Sequence, residues 1–390
     1  MATGLATTLA SPRGVLGANE RIRIGIIGVG ARGTELLRQA LSFPEVECAA
    51  CADVYQRNLE NARQVVPNAA SYPDHRYLLD DFNIDAVIIA TPQHLHAKQF
   101  VDALQSRKHV YVEKTMAFTV EQAKQMRAAY LKADKLTVQV GHQTCSSGQM
   151  ADARQFLANG QVGKITAIQM HMYRNTPRGK PLWYRPAYPD MTPETIAWKS
   201  FQGDAPDHGF DANRFANWRL FWDYSGGNVS ESMCQQLAFW YKALNLQIPR
   251  AATMTGGVYL WKDGREVPDT MHVSLEQPEE LLVNWDSGFG NDQLRISEDV
   301  LGSHGTISKS QQIRYLPQKV NRPDGAEILG RAVTPPNAHM LNFLDCIRTS
   351  KQPNCSFDLG YRVSIACRMA VESYLQRRTV RWDPQKEEIL

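Results

Sequence analysis

Residues 22–33 read IRIGIIGVGARG. A β-branched run stops at Gly28, and Gly28, Gly30 and Gly33 follow at GxGxxG spacing before a helix-forming stretch. The first glycine permits a tight turn and the second lets backbone approach a pyrophosphate. The third lets helix and strand pack closely, and the helix N-terminus faces the negative charge. Beyond Gly33 the next apolar run, CAACADV, ends at Asp53. A carboxylate at that place accepts hydrogen bonds from an adenosine ribose diol and repels a 2′-phosphate, so the expected cofactor is NAD rather than NADP. Gly28, Gly30, Ala31, Arg32, Gly33, Asp53 and Val54 form the first group of cofactor-binding candidates.

The pattern that follows is strand–helix alternation. Strands are predicted over Ile22–Ile27, Val46–Ala52, Ala86–Ala90, His109–Val112 and Thr137–Val140, and helices over Ala31–Leu41, Gln56–Val65, Leu95–Ser106 and Val120–Ala133. Strands with few polar residues between amphipathic stretches indicate a parallel sheet covered on both faces. After Gly148 and a helix over Gln149–Asn159 the texture changes. Alternating runs at Lys164–Tyr173, Ala252–Leu260, Thr270–Glu276, Leu281–Trp285, Arg295–Ser303 and Ile313–Leu316 predict a large, mostly antiparallel sheet with one wet face. Closing helices are predicted at His339–Thr349 and Leu359–Arg377. The expected fold is therefore α/β: a doubly wound Rossmann domain over 20–143 and a C-terminal α/β domain with an open sheet over 144–390. A loop over about 174–225, rich in Pro, Trp, Tyr and Arg, is long enough to be functional.

Three more strands end in polar groups, and ligands bind at the carboxyl ends of such sheets. Thr91 and Pro92 leave one strand, followed by His94 and His96, a pair too thin for a metal site because no acid or cysteine completes it. Glu113 and Lys114 end the next, and His142 and Gln143 the last. Beside an oxidised nicotinamide a half-buried lysine has its ammonium form disfavoured, so Lys114 is a candidate general base. In the second half Glu231 and Gln235 stand four apart on one face of a helical run opened by Gly226 and Gly227.

A net charge of +3 over 390 residues gives no case for a nucleic-acid or anionic-membrane partner. The seven cysteines lie mostly in apolar runs, with no His–Cys cluster for zinc, and fit a reducing compartment. Cys48 and Cys51 share a strand on opposite faces, and Cys346 and Cys355 could pair. Residues 1–19 are small and weakly apolar. They read either as the tail of an export signal or as a frayed terminus.

Taken in order, GVGARG, ADV, ATPQHLHA, VEKT, GHQ and WDYSGG resemble the Gfo/Idh/MocA oxidoreductases over roughly residues 20–390. The resemblance implies NAD bound by the first domain, with Thr91, Pro92, His96, Glu113, Lys114 and Gln143 added to the cofactor set. It implies a sugar or cyclitol on the near face of the second domain, whose open sheet would mediate a homo-oligomer. It places Lys114 beside the nicotinamide and the reacting hydroxyl, and Thr115 where the family has proline. It maps Glu231 onto a family aspartate and Gln235 onto a family histidine that takes the substrate proton. Glutamine does not titrate, so it can hold a hydroxyl but not move a proton. The catalytic candidates are Lys114, Glu231, Gln235 and His142. Tyr173, Arg174, Trp183, Tyr184, Arg219, Trp222, Glu231 and Gln235 are the substrate-binding candidates. The leader resembles the end of a twin-arginine signal without its arginine pair, so export to the periplasm and a cytoplasmic location both stand.

The expected function is hydride transfer between NAD and a ring secondary hydroxyl of a sugar, cyclitol or glycoside. The alternatives are a glycoside-cleaving enzyme that uses NAD in transient oxidation and elimination, and a dinucleotide- and sugar-binding protein without turnover.

Overall fold

The computed structural model describes residues 21–158 and 160–390; the leader readings fall outside them. Six parallel strands form the first sheet: β1 (Ile22–Ile27), β2 (Val46–Ala52), β3 (Ala70–Tyr72), β4 (Ala86–Ile89), β5 (His109–Val112) and β6 (Val138–Val140). Their order is β3-β2-β1-β4-β5-β6, with the reversal between β1 and β4. That is the doubly wound arrangement expected from the sequence, and its switch point lies beside the glycine turn. β4 is buried throughout and β1 nearly so, as strands covered on both faces must be. β3 and the short helix His75–Leu79 were not predicted; three residues carry too little periodicity to be seen.

The strand β2 is irregular. Its pairing with β1 slips by one residue, so Ile24 faces Cys48 while Gly25 faces Ala50. The extra residue turns Cys48 and Cys51 to the same side, with their sulfurs 3.9 Å apart. The expectation that they face opposite ways assumed an unbroken period of two, which a bulge resets. All seven cysteines are free thiols, Cys346 and Cys355 included.

The second sheet has ten strands: β7 (Ile165–Tyr173), β8 (Ala251–Gly257), β9 (Thr270–Glu276), β10 (Leu282–Gly288), β11 (Ile296–Gly302), β12 (Gly305–Lys309), β13 (Ile313–Pro317), β14 (Ile328–Leu329), β15 (Val380–Asp383) and β16 (Glu388–Ile389). Their order is β14-β13-β12-β11-β7-β10-β9-β8-β15-β16. Every pair is antiparallel except β7 with β10. β9 shows why the alternation was readable: Met271, Val273 and Leu275 are buried while His272 faces outward.

Helices from the second half hold the two sheets together. Met340, Phe343 and Leu344 of the helix Ala338–Thr349 pack with Ile24, Ile26, Ile88 and Tyr111 on one face of the first sheet. The long helix Phe357–Gln376 joins the core that also takes in Val110 and Val112 of β5 and Val273 of β9. The segments that follow β4 and β5 meet the one that carries Glu231, through Gln93 and Lys114.

Candidate active site

Gly28 turns with φ +86°, a left-handed backbone that favours glycine. A Cβ on Gly33 would lie 1.8 Å from the Gly28 carbonyl oxygen, so only a bare α-carbon lets the helix Ala31–Leu41 start against the turn. Asp53 is held at the end of β2. One carboxylate oxygen accepts the Val29 N–H at 2.8 Å, the other the Tyr55 N–H at 2.9 Å, and Asn58 Nδ2 reaches both at 3.2 Å. Burial pushes its carboxyl up to about 6 against these bonds. It remains an acceptor at neutral pH, and it lines the cavity described next.

That cavity, about 1470 Å³, runs from Gly28, Gly30 and Asp53 past Thr91 and Pro92 to Lys114, Glu231 and Gln235. Trp183, Arg185, Trp218 and Arg219 wall its far side. A dinucleotide fits the first part: the turn has no Cβ at Gly28 or Gly30 to fill the cradle, and Asp53 stands ready for a diol.

Glu231 is the hub of the second part. Its segment, Val229–Met233, is a π-helical turn leading into the helix Cys234–Leu244. Such turns occur often at functional sites and would not show in a 3.6-residue pattern. Gln93 Nε2 donates to Glu231 Oε1 at 2.6 Å, and Arg219 Nε donates to Oε2 at 3.1 Å. Lys114 Nζ donates to the Glu231 carbonyl at 2.8 Å and to Oε2 at 3.3 Å. Burial pushes the Glu231 carboxyl up, but the charges and hydrogen bonds of Lys114 and Arg219 outweigh it and hold it at about 2. Burial likewise pulls Lys114 down, yet Glu231, Cys234 and Glu113 together carry it above its ordinary value. The disfavoured ammonium expected beside an oxidised nicotinamide is opposed here by the buried carboxylate of Glu231.

Gln235 also lines the cavity, but its amide nitrogen folds back to the Glu231 carbonyl at 3.2 Å, leaving its oxygen for a ligand. The Lys114–Thr115 peptide is cis, and Thr115 Oγ1 donates to the Ser230 carbonyl at 2.6 Å.

Of the predicted residues, Gly28, Gly30, Ala31, Arg32, Asp53, Val54, Thr91, Pro92, Lys114, Arg174, Trp183, Arg219, Glu231 and Gln235 share this one wall. Others lie behind it. Glu113 is buried and holds Arg32 at 2.8 Å. His96 is buried between the carbonyls of Thr91 and Thr115, at 2.8 and 3.0 Å, and ties two strand ends together. His142 is fully buried and outside the wall, its ring nitrogens without partners among the described residues. Burial, with the charge of Lys114, drives it down to about 3. Such a ring favours its neutral form, and it does not line the cavity. Gln143 leans instead toward Gln39, at 3.4 Å. Tyr173 and Tyr184 stand outside the wall, and Trp222 packs on Tyr374 with ring centroids 5.8 Å apart. His94 is buried and contacts the Phe201 carbonyl at 2.7 Å.

Residues that sequence reading missed are the supports. Gln93, which follows the Thr91–Pro92 strand end, is buried against Glu231. Asn217 brackets Arg185 by accepting its N–H at 2.7 Å and donating to its carbonyl at 2.9 Å. Asn58 lies five residues past Asp53, and only the fold brings its amide to that carboxylate. Among the described residues no cluster of His, Cys, Asp or Glu is placed to hold a metal, and no helix is long and apolar enough to cross a membrane.

Comparison with known proteins follows this geometry. A 1-carboxy-3-chloro-3,4-dihydroxycyclo hexa-1,5-diene dehydrogenase of Comamonas testosteroni is 30% identical over 152 residues, covering 39% of this chain and 38% of that protein. An alpha-N-acetylgalactosaminidase of Shewanella oneidensis is 35% identical over 138 residues, covering 32% and 30%. The chain thus matches well under half the length of either relative. A levoglucosan dehydrogenase in complex with NADH and levoglucosan shares the fold, with a TM-score of 0.72 at 17% identity over 93% of this chain and 99% of that one. Residues 22–142 match the profile of the oxidoreductase family with an NAD-binding Rossmann fold. Over that domain the chain matches the Gfo/Idh/MocA oxidoreductase family.

Proposed function

We propose that this chain is an NAD-dependent oxidoreductase acting on a secondary hydroxyl of a ring-shaped polyol, a sugar, cyclitol or glycoside. One observation carries the reading. A single cavity joins the glycine turn and Asp53 to a buried lysine–carboxylate pair walled by tryptophan and arginine. Gly28, Gly30, Ala31, Asp53 and Thr91 would hold the dinucleotide. Bound NAD supplies the two-electron acceptor or donor at its nicotinamide.

The chain supplies positioning and the proton. Two N–H bonds of Lys114 go to Glu231, and the third has no acceptor among the described residues, so it is available to a substrate oxygen. Glu231 keeps the amine fixed in direction, while Gln93 and Arg219 fix Glu231. Trp183 and Trp218 offer flat faces to a sugar ring, and the Gln235 oxygen can accept from a neighbouring hydroxyl. With its ammonium favoured, Lys114 is an acid for carbonyl reduction. For alcohol oxidation it must first lose a proton, which the positive charge of the oxidised nicotinamide would ease.

The test is absorbance at 340 nm with NAD and a panel of sugars and cyclitols. Lys114→Ala should lower kcat/KM by about 10²–10⁴-fold, the usual contribution of a general acid–base group. Activity within tenfold of the unsubstituted protein would remove Lys114 from the chemistry. Oxidation by the unsubstituted protein should quicken as pH rises from 7 to 10, because the reactive form of a lysine raised above its ordinary pKa grows over that range.

A second reading, cleavage of a glycoside by transient oxidation and elimination, is favoured by the galactosaminidase relative. Release of p-nitrophenol from an aryl glycoside without net NADH would support it. Neither signal on either panel would leave both readings unsupported.

A further inference from the structure

Four arginines of the cavity wall have a carboxylate partner. Arg32 pairs with Glu113 and Glu35, Arg57 with Asp190, Arg76 with Asp74, and Arg219 with Glu231. Like Arg185, Arg174 has none within 4.0 Å among the described residues. It directly follows β7, and its guanidinium lies along the cavity beside the Glu231 segment. Its Nη2 donates to Met172 Sδ at 2.8 Å and to Ser232 Oγ at 3.3 Å. A thioether is a weak acceptor, and a guanidinium has five N–H groups to satisfy. Burial pulls Arg174 below its ordinary value, only partly offset by Glu231. A half-buried cation so poorly matched costs stability unless something else completes it.

The local charge balance points the same way. Lys114, Arg219 and Arg174 act on one carboxylate, Glu231. The substrate end therefore carries uncompensated positive charge, while Glu231 is already engaged by Lys114 and Arg219. The cofactor pyrophosphate does not answer this charge, because its cradle is the Gly28 turn on the first sheet, whereas Arg174 adjoins the second. Ser232 adjoins the arrangement on the cavity wall: its oxygen accepts from Arg174, and its O–H has no acceptor among the described residues.

We propose that the substrate is an anionic sugar, its oxyanion, carboxylate or sulfate ester, bound by the Arg174 fork and the Ser232 hydroxyl. This rests on reading the cavity as the substrate site of an NAD-dependent oxidoreductase, and it sharpens that reading to a substrate class. A fork-shaped donor favours such groups because two parallel N–H···O bonds form at once.

The experiment uses the full chain saturated with NADH, whose binding is first measured by its own fluorescence. Tryptophan fluorescence is then titrated with glucose against glucuronate, galactose against galacturonate, and glucose 6-sulfate. At least one anionic sugar should bind tenfold or more tightly than its neutral counterpart at low salt, with the advantage shrinking as salt is added. The tighter of the glucuronate and glucose 6-sulfate arms distinguishes carboxylate from sulfate. In Arg174→Gln the anionic-over-neutral preference should fall to about one, and Arg174→Lys should keep part of it, since charge remains but the fork does not. Equal or weaker binding of every anionic sugar by the NADH-loaded protein would overturn the proposal, as would an Arg174→Gln protein that keeps the preference. Neutral sugars turned over with NAD in either case would leave the broader reading standing, whereas failure to bind NADH at all would sink that reading itself.

Discussion

Lys114 and Glu231 share a fate: the carboxylate is buried, the amine partly so, and each favours the charge of the other. Removing the carboxylate leaves the amine without its counter-charge, so Glu231→Gln should weaken more than substrate orientation. It should drop the lysine pKa, and the alkaline rise in oxidation rate should then begin at lower pH. A pH profile of kcat/KM for Glu231→Gln checks this; an unshifted profile would show that the carboxylate does not set the proton affinity of Lys114. Three buried histidines make a different prediction. His142 is driven to about 3, and His94 and His339 to about 4, each chiefly by burial. Between the ordinary 6.5 and those values the unfolded chain binds protons that the folded chain refuses. Stability therefore falls as pH drops, by about 1.4 kcal/mol per pH unit for each ring. The Tm should decline from pH 6.5 toward pH 4, and His142→Gln should flatten part of the decline. At this scale the sequence was legible where residue type and spacing decide, as at Gly28 and Asp53. It was silent where burial decides, which is why it did not show that His142 lies off the cavity or that Gln93 supports Glu231.

The β1–turn–helix element was readable because its glycines are forced by backbone contacts. A methyl on Gly33 would collide with the Gly28 carbonyl, an atom that cannot swing aside. Gly33→Ala should therefore cost at least about 2 kcal/mol by denaturant unfolding and weaken NADH binding as well. A substitution as mild as a surface change would mean that the helix start can shift. Asp53→Ser should lower NAD affinity about tenfold and raise the NADP-to-NAD affinity ratio, because the charge that repels a 2′-phosphate is gone. Nucleotide fluorescence titrations read both. The bulge in β2 and the π turn at Val229–Met233 stayed hidden for one reason: each inserts a residue into a repeat, and a repeat is all that periodicity can report. The edge strands β14 and β16, two residues each, were too short to announce themselves.

Across the whole molecule the two sheets depend on the same late helices. Calorimetry should show one cooperative transition, since the core containing β5 also contains β9. Two separated peaks would contradict that shared core. Phe343 packs edge-on to Tyr111 with centroids 5.7 Å apart, and Phe343→Ala should remove about 3–5 kcal/mol although it lies outside the dinucleotide-binding segment. The division into two halves was visible in the change from buried strands to alternating ones. The return of Ala338–Thr349 to the first sheet was not, because an amphipathic helix does not name the surface it covers.

That return has a consequence during synthesis. The strands that will hold the nucleotide leave the ribosome first, but the helix that shields one of their faces emerges about two hundred residues later. Leu36, Leu37 and Ala40 cover part of that face early, but at roughly 5–20 residues per second the part under Met340, Phe343 and Leu344 stays uncovered for about 10–40 s. Truncation after β6 should therefore leave an apolar patch exposed and yield an aggregation-prone fragment rather than a small nucleotide-binding protein.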